Sequence, residues 1–243
     1  MANTSTLKQL VTDFSDTSDV LVVVHGRHLE TKKWEELVWG KEGVMGTVPL
    51  GLYLALKKGA KHLVLGTGAS EKDGVKECEY TLSFLRSHLK ELGSFPLFAG
   101  IDEADVSKLA ELLSHNRDWV VLDKEAQNTV DEIKNSLALC ARVGAVELIH
   151  VTSPAHVARC SNLIGQLTES GSAPLGVTPL LVSAHSSTDK YCAANTVVFE
   201  HPHRGDDHAP YMGDALKKIF GIQVQKKYDF KRDLDTLIDQ YNA

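Results

Sequence analysis

Short apolar runs that alternate with helical patterns constrain this chain more than any other feature. Residues 19–24 form a nearly continuous apolar, valine-rich run, and similar runs occupy residues 61–65, 119–122 and 146–151. Runs of this kind are typical of strands buried on both faces. Because helical patterns separate them, they predict an α/β protein whose mostly parallel sheet is covered by helices on both faces.

Spacing of apolar residues predicts the remaining elements of a single domain spanning residues 1–243. Further strands are expected at 95–99, 177–182 and 195–199, and helices at 48–58, 73–92, 102–115, 129–143, 154–167, 214–220 and 230–241. The stretch before Gly40 reads as polar, and residues 171–176 read as a loop. A proline at position 154 supports the helix start there, because the first helical N–H has no partner inside the helix.

Composition excludes several classes of protein. The 26 Lys and Arg and 32 Asp and Glu are interspersed along the chain, which argues against nucleic-acid binding. The longest apolar run, residues 20–24, is far shorter than the ~20 residues needed to cross a bilayer, and the start of the chain lacks signal-peptide character. The four cysteines lie far apart, so reduced thiols in a cytoplasmic protein are expected rather than disulfides or a zinc site.

Four polar loops follow the four clearest strands. They comprise residues 25–28, 66–70, 123–129 and 152–159, and they are rich in Gly, Thr, Ser, Asn and His. In an open parallel sheet, ligands bind outside the carboxyl ends of the strands. The sequence therefore predicts one cleft that is lined by these loops.

The motifs in these loops resemble a known family. The motifs are Val24-His25-Gly26, Leu65-Gly66-Thr67-Gly68, Glu77-Cys78-Glu79, the Asp123-to-Thr129 segment ending in Asn128-Thr129, and the Thr152-to-Arg159 segment Thr-Ser-Pro-Ala-His-Val-Ala-Arg. They resemble the uncharacterised-domain family typified by SanA, ElyC and YdcF, and the chain is closest to its soluble YdcF-like type. The resemblance covers residues 19–165 and leaves residues 171–243 as a C-terminal extension.

That resemblance implies a Rossmann-like three-layer fold, a polar cleft, and S-adenosylmethionine or a nucleotide as a ligand. It also implies that Glu77 points into the cleft near His156. The chain departs from the family pattern at Gly66-Thr67-Gly68, which replaces a serine-led turn, and at Asp123, where Glu is common. Residues 95–116 read as an extra strand–helix unit.

Each motif also has a purely structural interpretation. The Gly66-Thr67-Gly68 segment is either a tight strand-to-helix turn or a cradle for phosphate or carboxylate. Asn128 and Thr129 either cap a helix or cap it while also facing a ligand. Glu77 and Glu79 lie near a helix start, where solvated acids are ordinary.

The segment from Thr152 to Arg159 carries the strongest functional signal. Ser153 is placed as an N-cap, and free backbone N–H groups beyond it favour an anion. His156 could transfer a proton near neutral pH, and Arg159 could hold an oxyanion through two donors. The alternative is an ordinary helix cap with a chance histidine.

A further cluster, residues 200–208, contains three histidines, two aspartates and Arg204. It is interpreted as a polar surface loop, a substrate-binding loop or a metal site, and no metal ligand is assigned from it.

Together these patterns predict a small-molecule enzyme with acid–base or group-transfer/hydrolytic chemistry on an anionic metabolite that carries phosphate or carboxylate. The alternative is a nucleotide or S-adenosylmethionine binding protein without catalysis. His156 and Glu77 are the expected catalytic residues. The expected substrate-binding residues are Gly26, Gly66, Thr67, Gly68, Asn128, Thr129, Thr152, Ser153, Arg159 and Arg204.

Overall fold

A computed structural model describes residues 18–184 apart from positions 32, 42, 116–118, 172–173 and 175. The predictions for residues 195–199, 200–208, 214–220 and 230–241, including Arg204, lie outside the described residues.

Five parallel strands form the central sheet of the described residues. In order across the sheet they are β7 (Val120–Asp123), β4 (Ala60–Gly66), β1 (Ser18–Val24), β8 (Glu147–Thr152) and β9 (Thr178–Ser183). Every neighbouring pair is parallel. The predicted parallel sheet is confirmed, and the fold is a Rossmann-like three-layer α/β structure.

Helices follow the strands and cover both faces of the sheet. They are α1 (Trp34–Trp39), α2 (Thr47–Lys58), α3 (Glu77–Ser87), α4 (Glu103–His115), α5 (Thr129–Val143) and α6 (Pro154–Glu169). Two antiparallel hairpins of two-residue strands, β2 (Gly40–Lys41) with β3 (Val44–Met45) and β5 (Glu71–Lys72) with β6 (Val75–Lys76), lie outside the sheet.

Strand β1 shows why its apolar run is nearly unbroken. Successive strand residues point to opposite faces of a sheet. Val22 and Val24 belong to the core that contains Leu52 of α2, whereas Leu21 and Val23 belong to the core that contains Ile133 of α5. Both faces of β1 are therefore buried, so its sequence does not alternate between apolar and polar residues.

The predicted strand at residues 95–99 is wrong. The segment instead contains a turn of 3₁₀ helix, Pro96–Phe98, preceded by the 3₁₀ helix Leu89–Ser94. Proline is accommodated at the start of such a turn. Phe95 and Phe98 are buried three residues apart, so this apolar run reflects packing in a turn rather than strand pairing.

The predicted helix over residues 73–92 is shorter in the structure. Residues 71–76 form the β5–β6 hairpin, whose turn holds Asp73 and Gly74 at positive φ values of 53° and 78°. A helix cannot pass through two such residues, so α3 begins at Glu77 and ends at Ser87. The stretch before Gly40 is also not simply polar, because α1 buries Trp34, Val38 and Trp39.

Three cysteines of the described part, Cys78, Cys140 and Cys160, are free and buried, as expected of reduced thiols. None of the described helices combines the length and apolar character that a membrane span requires. Among the same residues, no group of three His, Cys, Asp or Glu side chains is arranged to hold a metal ion.

Candidate functional site

The loops after β1 and β4 meet the first turns of α5 at the carboxyl edge of the sheet. The N–H of Gly26 donates to Oε1 of Glu132 at 2.8 Å. A Cβ at Gly66 would collide with the same carboxylate, and a Cβ at Gly26 would collide with Glu77 and Thr67. Glycine is therefore required at both strand ends, because the loops and α5 approach one another too closely for a side chain.

Glu77 is buried, with 1% of its surface exposed. One carboxylate oxygen accepts a hydrogen bond from the backbone N–H of Arg27, and the other accepts one from Oγ of Ser70 at 2.5 Å. Glu77 thus ties the loop after β1 to the loop after β4. The solvated interpretation of Glu77 is excluded. Its hydrogen bonds give it a role in positioning the Arg27 loop, and its expected catalytic role stays a prediction.

The buried core of the site is a chain of three ionisable side chains. Oε2 of Glu132 lies 2.9 Å from Nδ1 of His25, and Nε2 of His25 lies 3.0 Å from Nδ1 of His150. The two imidazole rings stack at an interplanar angle of 26°. Because His25, Glu132 and His150 are all buried, this network lies inside the protein between the sheet and α5 and α6.

Two arginines act electrostatically on the imidazole of His156. Burial, followed by the positive charges of Arg27 and Arg159, lowers the pKa of His156 to about 3. The negative charge of Glu132 opposes this change without cancelling it. The charge of Glu132 thus acts on His156, and the expected position of Glu77 near His156 stays a prediction. His156 is consequently neutral at pH 7 in the absence of a ligand, and its expected role in proton transfer stays a prediction.

Arg27 reaches the start of α6. Its Nη1 donates to Oγ of Ser153 at 3.3 Å. Burial lowers the pKa of Arg27 from its ordinary value, and the charge of Glu77 partly offsets that effect. The guanidinium is thus a partly desolvated cation at the carboxyl end of β1, next to the first turn of α6.

The start of α6 differs from the expectation in one respect. Ser153 is the N-cap residue, but its side chain makes no capping hydrogen bond. The backbone N–H of His156 donates to the carbonyl of Ser153 at 2.9 Å. That N–H is therefore engaged rather than free, so the attraction for an anion rests on the two arginines more than on the helix end.

The Gly66-Thr67-Gly68 segment donates hydrogen bonds to the loop after β7. Oγ1 of Thr67 and the N–H of Gly68 donate to the carbonyl of Ala126 at 2.6 and 3.0 Å. A Cβ at Gly68 would collide with the backbone of Lys124. These contacts match the interpretation as a tight structural turn, and a role in binding substrate stays a prediction.

Asn128, Thr129 and Thr152 occupy structural positions. Oδ1 of Asn128 accepts from the N–H of Asp131 at 3.0 Å, so it caps α5. Thr129 is buried in the first turn of α5, and buried Thr152 lies 3.9 Å from Sγ of Cys160. The capping interpretation is confirmed for Asn128, and ligand contacts of the three residues stay predictions.

No role was predicted from the sequence for four residues of the site, His25, Arg27, Glu132 and His150. His25 and Arg27 were visible in the loop after β1. Glu132 lies four residues beyond the cap at Asn128, hence on the same side of α5. His150 is a polar residue inside an apolar strand, and such a residue normally needs a buried partner.

Comparison with protein-family models, with curated proteins and with solved structures finds no match to this chain. The resemblance to the SanA, ElyC and YdcF family therefore stays a prediction that rests on the motifs alone.

Proposed function

We propose that this chain is a small-molecule enzyme that carries out acid–base or group-transfer/hydrolytic chemistry on an anionic metabolite bearing phosphate or carboxylate. The substrate site lies at the carboxyl edge of the sheet, between the loop after β1 and the start of α6. The observation that carries the proposal is that Nη1 of Arg27 lies 3.3 Å from Oγ of Ser153 at the start of α6, where the charges of Arg27 and Arg159 both act on His156.

Two guanidinium groups near one neutral imidazole favour an anionic ligand. Arginine binds phosphate and carboxylate through paired donors, and burial strengthens the interaction because water screens it less. An anion bound there would offset the charges that lower the pKa of His156. The pKa of His156 would then rise when substrate binds, although burial, the largest cause of its lowering, would remain.

The Glu132–His25 pair supports chemistry rather than binding alone. A carboxylate that holds one nitrogen of an imidazole fixes its tautomer and stabilises its protonated form. Pairs of titratable groups in unlike environments are common at catalytic sites. This pair lies within electrostatic range of His156.

The alternative function is binding of a nucleotide or S-adenosylmethionine without catalysis, as the resemblance to the YdcF-like family implies. One observation favours it: a histidine with a pKa of about 3 is a weak proton carrier near pH 7. The two arginines would then hold the phosphates of a nucleotide or the carboxylate of S-adenosylmethionine. The buried free cysteines support a cytoplasmic location for either function.

A metabolite turnover screen distinguishes the two functions. The wild-type chain should convert at least one phosphate- or carboxylate-bearing compound, and His156→Ala and Arg159→Ala should abolish that conversion. Arg142→Ala is the matched control, because Arg142 is an exposed residue in the last turn of α5. Stoichiometric binding without product would favour the binding protein, and equal turnover in all variants would place the site elsewhere.

A further inference from the structure

His150 has a buried nitrogen without a partner. His150 is 0% exposed. Its Nδ1 faces His25 at 3.0 Å, whereas its Nε2 makes no hydrogen bond within the described part of the chain. Native proteins rarely leave a buried polar atom unpaired, so each such atom needs an explanation.

The hydrogen bonds of the network allow two proton arrangements. The N–H of Gly26 and Nδ1 of His25 both approach the Glu132 carboxylate, so an ionised Glu132 accepts from both. If His25 is neutral, its Nε2 accepts from Nδ1–H of His150, and Nε2 of His150 is a bare lone pair. If His25 is an imidazolium ion, its Nε2–H donates to Nδ1 of His150, and Nε2 of His150 carries the proton.

The two arrangements differ by one proton. When Nε2 of His150 takes up a proton from solvent, the Nδ1 proton of His150 passes to Nε2 of His25, and the positive charge then lies beside Glu132. Burial and the neighbouring His25 lower the pKa of His150 well below its ordinary 6.5. His150 is therefore neutral in both arrangements and changes only its tautomer.

We propose that Glu132, His25 and His150 form a buried proton relay that ends at Nε2 of His150, the nitrogen without a hydrogen-bond partner in the described residues. The proton acceptor of the relay is Nε2 of His25, whose Nδ1 lies against the Glu132 carboxylate. Because His156 is a weak base at neutral pH, the relay would add a second proton acceptor, His25, within electrostatic range of His156. This role rests on the proposed function, although the relay itself requires no substrate.

The groups around the relay come from four elements. From β7, the Asp123 carboxylate is within electrostatic range of Glu132. Glu132 faces His25 from α5, and His150 faces it from β8. On α6, His156 is within electrostatic range of both His25 and Glu132, and the thiol of Cys160 is within range of Glu132. Because the Glu132 carboxylate contacts His25, the transferred positive charge is stable on His25.

Tautomers of histidine can be observed directly by ¹⁵N–¹H NMR on the ¹⁵N-histidine-labelled full chain across a pH titration. We expect His150 to change from the Nδ1–H to the Nε2–H tautomer as pH falls. The change should share one midpoint with the appearance of doubly protonated His25. A His150 that keeps one tautomer throughout, or that itself becomes an imidazolium ion, would overturn the relay.

Two variants, Glu132→Gln and His28→Asn, test whether Glu132 stabilises the protonated form of the relay. Glu132→Gln removes the anion and should move the midpoint down by about 1–3 pH units. His28→Asn is the control, because His28 lies in the same loop and its Nδ1 is near the N–H of Glu30 rather than Glu132; its midpoint should match wild type. An unmoved midpoint in Glu132→Gln would contradict the relay. If Glu132→Gln fails to fold, the titration of the wild-type chain by itself still tests the relay.

Inorganic phosphate titrations separate this proposal from the proposed function. A shared tautomer change without phosphate binding would support the relay and count against the anionic substrate. Phosphate binding without the tautomer change would overturn the relay and leave the anion site intact.

Discussion

Glu132 and His25 are 107 residues apart in the chain, yet Oε2 of Glu132 lies 2.9 Å from Nδ1 of His25. The contact joins the first turns of α5 to the residue that follows β1. It is possible because the N–H of Gly26 binds the other carboxylate oxygen and Gly66 leaves room for that carboxylate. The two glycines and the buried pair therefore form one structural unit.

The closeness of that packing predicts the effect of Gly26→Ala. The added Cβ would collide with Glu77 and Thr67, and overpacking of this kind costs about 1–3 kcal/mol. Urea denaturation should show that loss. Gly165→Ala is the control, because Gly165 is helical with open space around its Cβ position, and it should stabilise the protein by about 0.5–1 kcal/mol. Equal stabilities of the two variants would contradict the described packing.

Glu77→Gln tests the positioning role of that carboxylate. Because Glu77 accepts from Arg27 and Ser70, loss of its charge should lower the free energy of unfolding by about 1–3 kcal/mol. An unchanged melting temperature, as expected for a purely catalytic carboxylate, would argue against the role. Glu79→Gln is the matched control, since Glu79 lies in the same helical turn and pairs with exposed Lys124; its effect should be smaller.

Sequence reasoning predicted the sheet well and the site only in part. Burial on both faces gives a continuous apolar run in a strand such as residues 19–24, so the parallel sheet could be predicted from the alternation of such runs with helical patterns. The short apolar run around Phe95 also predicted a strand, but this segment forms a 3₁₀ turn. His25 and His150 meet across 125 residues of chain, and no local pattern reveals which imidazole will contact which carboxylate.

Acid should destabilise the protein partly through His156. Its pKa in the folded state is about 3, below the ordinary 6.5, so the unfolded chain binds the proton first as pH falls. The stability contribution is present above pH 6.5 and is lost as pH falls toward 3. Urea midpoints measured between about pH 7 and about pH 5 should therefore decline less steeply for His156→Gln than for wild type. Identical slopes would contradict the lowered pKa.

The buried thiols should resist alkylation. Burial raises the pKa of Cys78 and Cys140 to about 11 and that of Cys160 to about 12, so almost no thiolate exists at neutral pH. Mass spectrometry after iodoacetamide treatment should find at most one of the four cysteines modified in the native protein and all four modified in denaturant. Rapid modification of Cys160 in the native protein would contradict its described burial.

The central claim is that Arg159 and Arg27 bind an anion beside His156, and calorimetric titration with inorganic phosphate tests it most directly. An ionic hydrogen bond from arginine contributes about 1.5–3 kcal/mol, so Arg159→Ala should weaken binding roughly 10- to 150-fold. Arg159→Lys should restore it only in part, because an ammonium group lacks the planar pair of donors. Arg142→Ala should bind as wild type does. Equal affinities for wild type, Arg159→Ala and Arg159→Lys would contradict the claim.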